Sequence, residues 1–220
     1  MLLDEGVDVR AVRGDGTDAL MFAVSRGQTQ CVRLLLDRGA NVHARTRDGE
    51  TALFKAVRLA HVECTKLLLD GGSDPNICNK LGETPLMIAN DSVCTKLLLE
   101  FGADLRVHPR GSPTLLSMAI LENEPDKLVV LLHAGAAVDE IDERHQHTAL
   151  WLAIRTGRTK CASHLLHAGA DPNRLGGRKN AKEVARKHGQ AHMLSMLRAH
   201  DESRRVLAFD KKRHATRGIN

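Results

Sequence analysis

Residues 31–42 read CVRLLLDRGANV and residues 64–75 read CTKLLLDGGSDP, the same message 33 positions apart. A compact core has no use for a copied segment. A stack of like units requires one, because each unit must offer the same apolar edge to its neighbour. Aligning the Gly after each Leu-rich run gives Gly6, Gly39, Gly72, Gly102, Gly135 and Gly169, at intervals of 33, 33, 30, 33 and 34.

The punctuation inside each unit recurs as well. Asp18, Thr51, Thr84, Thr114 and Thr148 each stand two residues before a Leu and five before an Ala: Ala23, Ala56, Ala89, Ala119 and Ala153. Side-chain oxygens of this kind cap helix N-termini by accepting a backbone N–H. Pro85 falls at the first helical position, where its missing N–H is harmless. A short first helix therefore gives way at Gly27, Ala60 or Gly157 to a second helix through VRLLL, TKLLL, TKLLL, LVVLL and SHLL. The aligned Gly then supplies the left-handed turn that stops it. The predicted unit is helix, turn, helix and hairpin-like loop, with no strand of ordinary length, so the fold class is all-α.

Composition agrees with thin layers. The chain has 220 residues, 42% of them hydrophobic, but only 2% aromatic, with one Trp and no Tyr. Leu, Val and Ala must then fill the interior. The net charge of +5 is mildly basic and leans toward acidic partners. The longest apolar stretch, around Leu128–Val138, is too short to cross a bilayer. Five Cys with no CxxC pair predict reduced thiols in an intracellular, cytoplasmic protein, with a nuclear location as the alternative.

The stretches DGETALFKAVRLAHVECTKLLLDGGSDPN (48–76) and LGETPLMIAN…TKLLLEFGAD (81–104) resemble the ankyrin repeat. The resemblance implies an ankyrin-type α-solenoid over 1–200. It divides into a half-repeat at 1–12, repeats at 13–45, 46–78, 79–108, 109–142 and 143–174, and a capping repeat at 175–200. Residues 201–220 form a basic tail expected to be disordered. The half-repeat has no first helix ahead of LLDEGVDV (2–9), so the expectation is either that residue 1 is not the natural start or that the solenoid opens on an incomplete repeat with Leu2 and Leu3 exposed. The chain departs from the family where a His is usual: Met21, Phe54, Met87, Ser117 and Trp151 stand there and predict apolar contact between neighbouring first helices. The third repeat is three residues short between Ala89 and Cys94, which predicts a clipped first helix or turn.

No motif for chemistry stands out. GxxxxGK[ST], GxSxG and HExxH are absent, and the reading is of no enzyme and no cofactor. Cys31, Cys64, Cys94 and Cys161 share one repeat position early in the second helix and read as stacked core residues, with Cys78 in a loop. His145 with His147, and His164 with His167, lack a visible third ligand, so no metal site is predicted. Mapped onto the resemblance, the loop tips and first-helix ends carry a basic row. Its partner-binding candidates are Arg13, Arg26, Arg45, Arg47, Arg58, Lys80, Arg110, Arg144, Arg155, Arg174 and Lys179, with Trp151 as a possible anchor. Such a row suits an acidic protein partner, which the guanidinium forks could grip. Asn76 and Asn173 match the spacing at which some ankyrin repeats are hydroxylated.

The resulting expectation is a monomeric, non-enzymatic scaffold that binds a protein through its concave face, with no membrane partner. Two alternatives stay open. One is nucleic-acid binding through the same row and tail, disfavoured by the lack of stacking aromatics. The other is a regulatory or targeting segment of a larger enzyme.

Overall fold

The computed structural model describes residues 11–107, 109, 111–142, 145–174 and 179–203. Five helix pairs follow one another: α1 (Ala19–Ser25) with α2 (Thr29–Asp37), α3 (Ala52–Arg58) with α4 (Val62–Asp70), α5 (Pro85–Ile88) with α6 (Ser92–Glu100), α7 (Leu115–Leu121) with α8 (Pro125–His133), and α9 (Ala149–Arg155) with α10 (Thr159–His167). Helix α11 (Ala181–Lys187) then precedes a last helix over 191–203. That helix runs past residue 200, where the tail was placed. The rest of the tail, and the half-repeat as far as residue 10, lie outside the described residues. Strand-like pairing among the described residues includes only isolated bridges, Val12 with Asp18 and Ile141 with Thr148, at the necks of two loops.

The caps explain why each first helix starts where it does. Asp18 accepts the Met21 N–H at 2.7 Å, Thr114 that of Ser117 at 3.2 Å, and Thr148 that of Trp151 at 3.3 Å. Thr51 and Thr84 hold the N-cap position without a side-chain capping bond. At Thr84 the reason is visible: the Met87 N–H donates to the backbone carbonyl of Thr84 instead, at 3.1 Å. At the other end of each pair, Gly39, Gly72, Gly102, Gly135 and Gly169 all adopt φ between 78° and 93°. A side chain at such a position would crowd the following carbonyl, which is why the aligned residue is Gly.

First helices pack on first helices and second on second. Second helices run without interruption from α2 to α10, whereas the tight contacts of first helices form two groups, α1–α3–α5 and α7–α9–α11. The core is a set of columns. Leu20, Leu53, Leu86, Leu116 and Leu150 form one, Ala23, Ala56, Ala89, Ala119 and Ala153 another, and all are buried. Met21, Phe54, Met87 and Ser117 are buried too, as expected of the position where the family often carries His.

The Ala column also fixes the turn between the helices of a pair. The carbonyls of Ala23, Ala56, Ala119 and Ala153 each accept the N–H five residues on, from Gln28, His61, Glu124 and Arg158, at 2.8–3.0 Å. In the shortened third pair α5 has only four residues and Ala89 is already extended, with ψ of 122°. Five residues on stands Cys94, whose N–H goes to the Asp91 side chain that caps α6. The Ala89 carbonyl is instead met by Lys127 Nζ at 2.6 Å, reaching back from α8. Lys127 is fully buried and pairs with Glu122 at 2.8 Å. It stands third in α8, where α2, α4, α6 and α10 have Cys. The missing cysteine and the missing residues are two sides of one accommodation.

Lys127→Met should therefore lower stability by about 1–3 kcal/mol, the cost of a buried carbonyl left without a donor. Lys127→Cys should be no better, although Cys is the residue of the column, because it cannot reach Ala89. Urea unfolding of the two variants beside wild type measures this. In the same assay Leu68→Ala, which empties a fully buried position of α4, should cost about 2–5 kcal/mol.

Candidate interaction surface

The loops between pairs are locked to one another before any partner arrives. The Arg47 N–H donates to the Asp15 carbonyl at 2.9 Å and the Lys80 N–H to the Asp48 carbonyl at 2.8 Å, so each tip hangs on the tip before it. Asn76 donates to the Gly102 carbonyl at 2.9 Å and accepts from the Asp104 N–H at 2.7 Å, a second tie between successive loops. The Asp139 carboxylate accepts the Asp171 N–H at 3.1 Å, a further tie of this kind. Backbone contacts of this kind hold the tips at a fixed pitch.

The structure divides the basic row into three kinds of residue. Arg47 and Lys80 are exposed at the tips, and neither forms an ion pair with a described residue. Arg174 and Lys179 are likewise exposed. Arg45 and Arg58 are engaged within the molecule. The Arg45 guanidinium spans the Gly49 and Cys78 carbonyls, and Arg58 forks onto both oxygens of Glu50. Arg13, Arg26 and Arg155 lie over aromatic rings. Arg13 and Arg26 stand 5.4 and 5.5 Å from the ring centre of Phe22, and Arg155 stands 5.3 Å from that of Trp151. Arg110 and Arg144 lie outside the described residues.

Phe22 is the residue that the sequence reading missed. It is 44% exposed on α1 and clasped between two cations, while its neighbours Met21 and Ala23 are buried. Leu81, 74% exposed at a tip, and Leu121 on α7 add apolar surface on the same row of elements. Phe22 lies between the buried Met21 and Ala23, Leu121 follows the buried Ile120, and Leu81 stands in a loop, so only position within the unit separates them from core residues. The two candidate hydroxylation residues differ. Asn76 is tied up in the loop bonds above, whereas the exposed Asn173 accepts from Lys182 at 3.2 Å.

Trp151 is half-buried and belongs to a column of rings. His147 stacks on it at 5.0 Å and His145 on His147 at 5.4 Å, with Arg155 covering the other end. Asp142, which the sequence offers only as a loop acid interleaved with the basic row, completes the group: its Oδ1 accepts the His145 N–H at 2.7 Å and lies 3.1 Å from His145 Nδ1. Burial pushes the Asp142 carboxyl up, but the two bonds from His145 outweigh it and hold the group below the usual carboxylate range. Burial pushes the His147 imidazole down, against the pull of Asp142. Asp142 and the two histidines thus form a compact cluster where no third ligand was foreseen. His133, His164 and His167 line a groove between α8 and α10, with His167 Nδ1 donating to the Ser163 carbonyl at 2.8 Å.

A row of capped helix pairs, with exposed cations and apolar side chains on loops held in register, defines a helical repeat stack. The model of ankyrin repeats, in three copies, matches residues 1–77, 60–142 and 90–175, and the chain belongs to the ankyrin-repeat family. Ankyrin repeats are protein–protein interaction modules. Two relatives match over part of their length. An ankyrin repeat-containing protein of Treponema pallidum (strain Nichols) is 35% identical over 88 residues, 40% of this chain and 29% of that protein. Ankyrin repeat and SOCS box protein 6 of Homo sapiens is 36% identical over 89 residues, 40% of this chain and 19% of that protein. The matches thus span less than a third of either relative. The crystal structure of the human ASB11 ankyrin repeat domain superposes with a TM-score of 0.74 at 24% identity, covering 84% of each chain, which shows the fold. No helix among the described residues is long and apolar enough to cross a membrane.

All five cysteines are free thiols. Cys64, Cys94 and Cys161 are buried as the column predicts, and Cys64 and Cys94 lie against Thr29 and Thr65 of the preceding second helices. Cys31 corrects that reading: it shares the repeat position on α2 but is exposed. Burial pushes the Cys94 thiol up to about 12 and raises those of Cys64 and Cys161. The thiolate is the reactive form. At pH 8, a disulfide reagent should therefore modify Cys31 and Cys78 in the folded protein and all five thiols in denaturant, as counted by mass spectrometry.

Proposed function

We propose that the chain is a non-enzymatic scaffold that holds an acidic protein segment against its loop tips and first helices. The observation that carries this reading is the pairing of Arg47 and Lys80, exposed and without an ion-pair partner among the described residues, with backbone bonds that fix their spacing. Cations presented on a rigid frame lose little ordering entropy when they meet a carboxylate, and they steer encounter from a distance. Phe22 and Leu81 supply apolar contact beside them. The preferred ligand is therefore an acidic segment with interspersed apolar side chains. Arg45 and Arg58, already committed to internal partners, brace the loops and contribute less.

Reversing Arg13, Arg47 and Lys80 together to Glu should reduce capture of the partner from cell extract by at least about tenfold, since each exposed cation facing a carboxylate contributes on the order of 1 kcal/mol. Circular dichroism should show unchanged helicity. Undiminished capture by a folded triple variant would remove the basic face from the binding site. Binding to random DNA or RNA with a steep salt dependence would replace this reading by the nucleic-acid one.

A further inference from the structure

The loop that follows α8 carries a group of side chains that the interaction surface does not use. Asp142, His145 and His147 each place one donor atom within 4.8 Å of the other two. Asp142 is 1% exposed and His147 5%, so two of the three are fixed in the body of the protein. His145 is the exposed member, with half of its side chain in solvent. The Nδ1 of His147 is buried and meets no hydrogen-bond partner among the described residues. A buried imidazole nitrogen left in that condition is uncommon and calls for a cause. The cluster lines a cavity of about 230 Å³ between α7 and α9, bounded also by Ser117, Leu121 and Arg155.

We infer that Asp142, His145 and His147 form a site for a divalent transition metal, zinc before others. Two imidazoles and one carboxylate are the donor set that zinc accepts, at about 2.0–2.2 Å from each atom. Donors of one tetrahedral ion lie on the order of 3.3 Å apart. The exposed His145 ring closes the remaining gap by turning out of its stack on His147, exchanging its bond to Asp142 for one to the ion. The fourth position faces the cavity, where the Arg155 cation favours water or a carboxylate as the last ligand. Magnesium and calcium fit poorly, because both demand oxygen donors in greater number.

The site has a built-in reporter. Trp151 is the single Trp of the chain and stacks directly on His147, so metal binding should change its fluorescence. The full chain, stripped with chelator, is titrated with Zn²⁺ while Trp151 emission is followed, and with Co²⁺ while the visible ligand-field bands are followed. Wild type should bind one equivalent with tetrahedral bands and a saturable fluorescence change. His145→Ala, which removes an exposed side chain and leaves the core intact, should weaken binding by roughly a hundredfold, at least as much as loss of an outer-shell contact. Asp142→Asn should act in the same direction. His43→Ala, an exposed histidine on another loop, should bind as wild type does. Equal affinity in wild type and His145→Ala overturns the site. So does equal loss in His43→Ala, the mark of scattered histidine binding, or a titration that leaves Trp151 emission unchanged.

Discussion

One backbone carbonyl per unit decides whether two helices can fold back on each other. In the full-length pairs the carbonyl of the column alanine accepts an N–H from five residues on, which closes the turn and sets the second helix antiparallel to the first. The small side chain at that position lets the second helix approach. Capping, the columns of leucine and the loop ladder all presuppose this geometry. A unit that cannot close the bond from its own backbone must find a donor elsewhere, or leave a polar group dry.

The frame so built holds the loop surface in a fixed arrangement. Loop tips that donate backbone hydrogen bonds to one another cannot drift independently, so the cations and apolar groups on them keep their spacing. The same feature separates residues that display charge from residues that spend it internally. Arg47 and Arg45 lie two positions apart on one tip, yet only Arg45 is held by carbonyls of its own and the next loop. Proximity in sequence says little about which cation is available.

Much of this was legible before any coordinates. Period, caps, the aligned glycines and the clipped third unit follow from local rules of backbone sterics, and each unit repeats them. What escaped the sequence depends on distance between units. Lys127 reads as an ordinary helix-surface lysine until Ala89 is placed beneath it. Phe22 sits between two buried residues in sequence and gives no sign of its exposure until α1 is in place. His145 and His147 showed themselves as a pair, at the positions before Thr148 that Asp48 and Glu50 hold before Thr51. Asp142 joined them only when the loop closed and brought it within hydrogen-bonding reach. The Cys column was read correctly at Cys64, Cys94 and Cys161 and failed at Cys31, which shares the repeat position but is exposed.

The buried amine of α8 also constrains what this chain can become. Restoring the three absent residues to the unit of α5 and α6 would return a backbone donor to Ala89 and leave Lys127 a charge with no assignment but Glu122. Exchanging the lysine alone would leave the carbonyl stranded. Each change made alone would therefore cost stability, so the length of one unit and the residue third in α8 of the next cannot be varied independently.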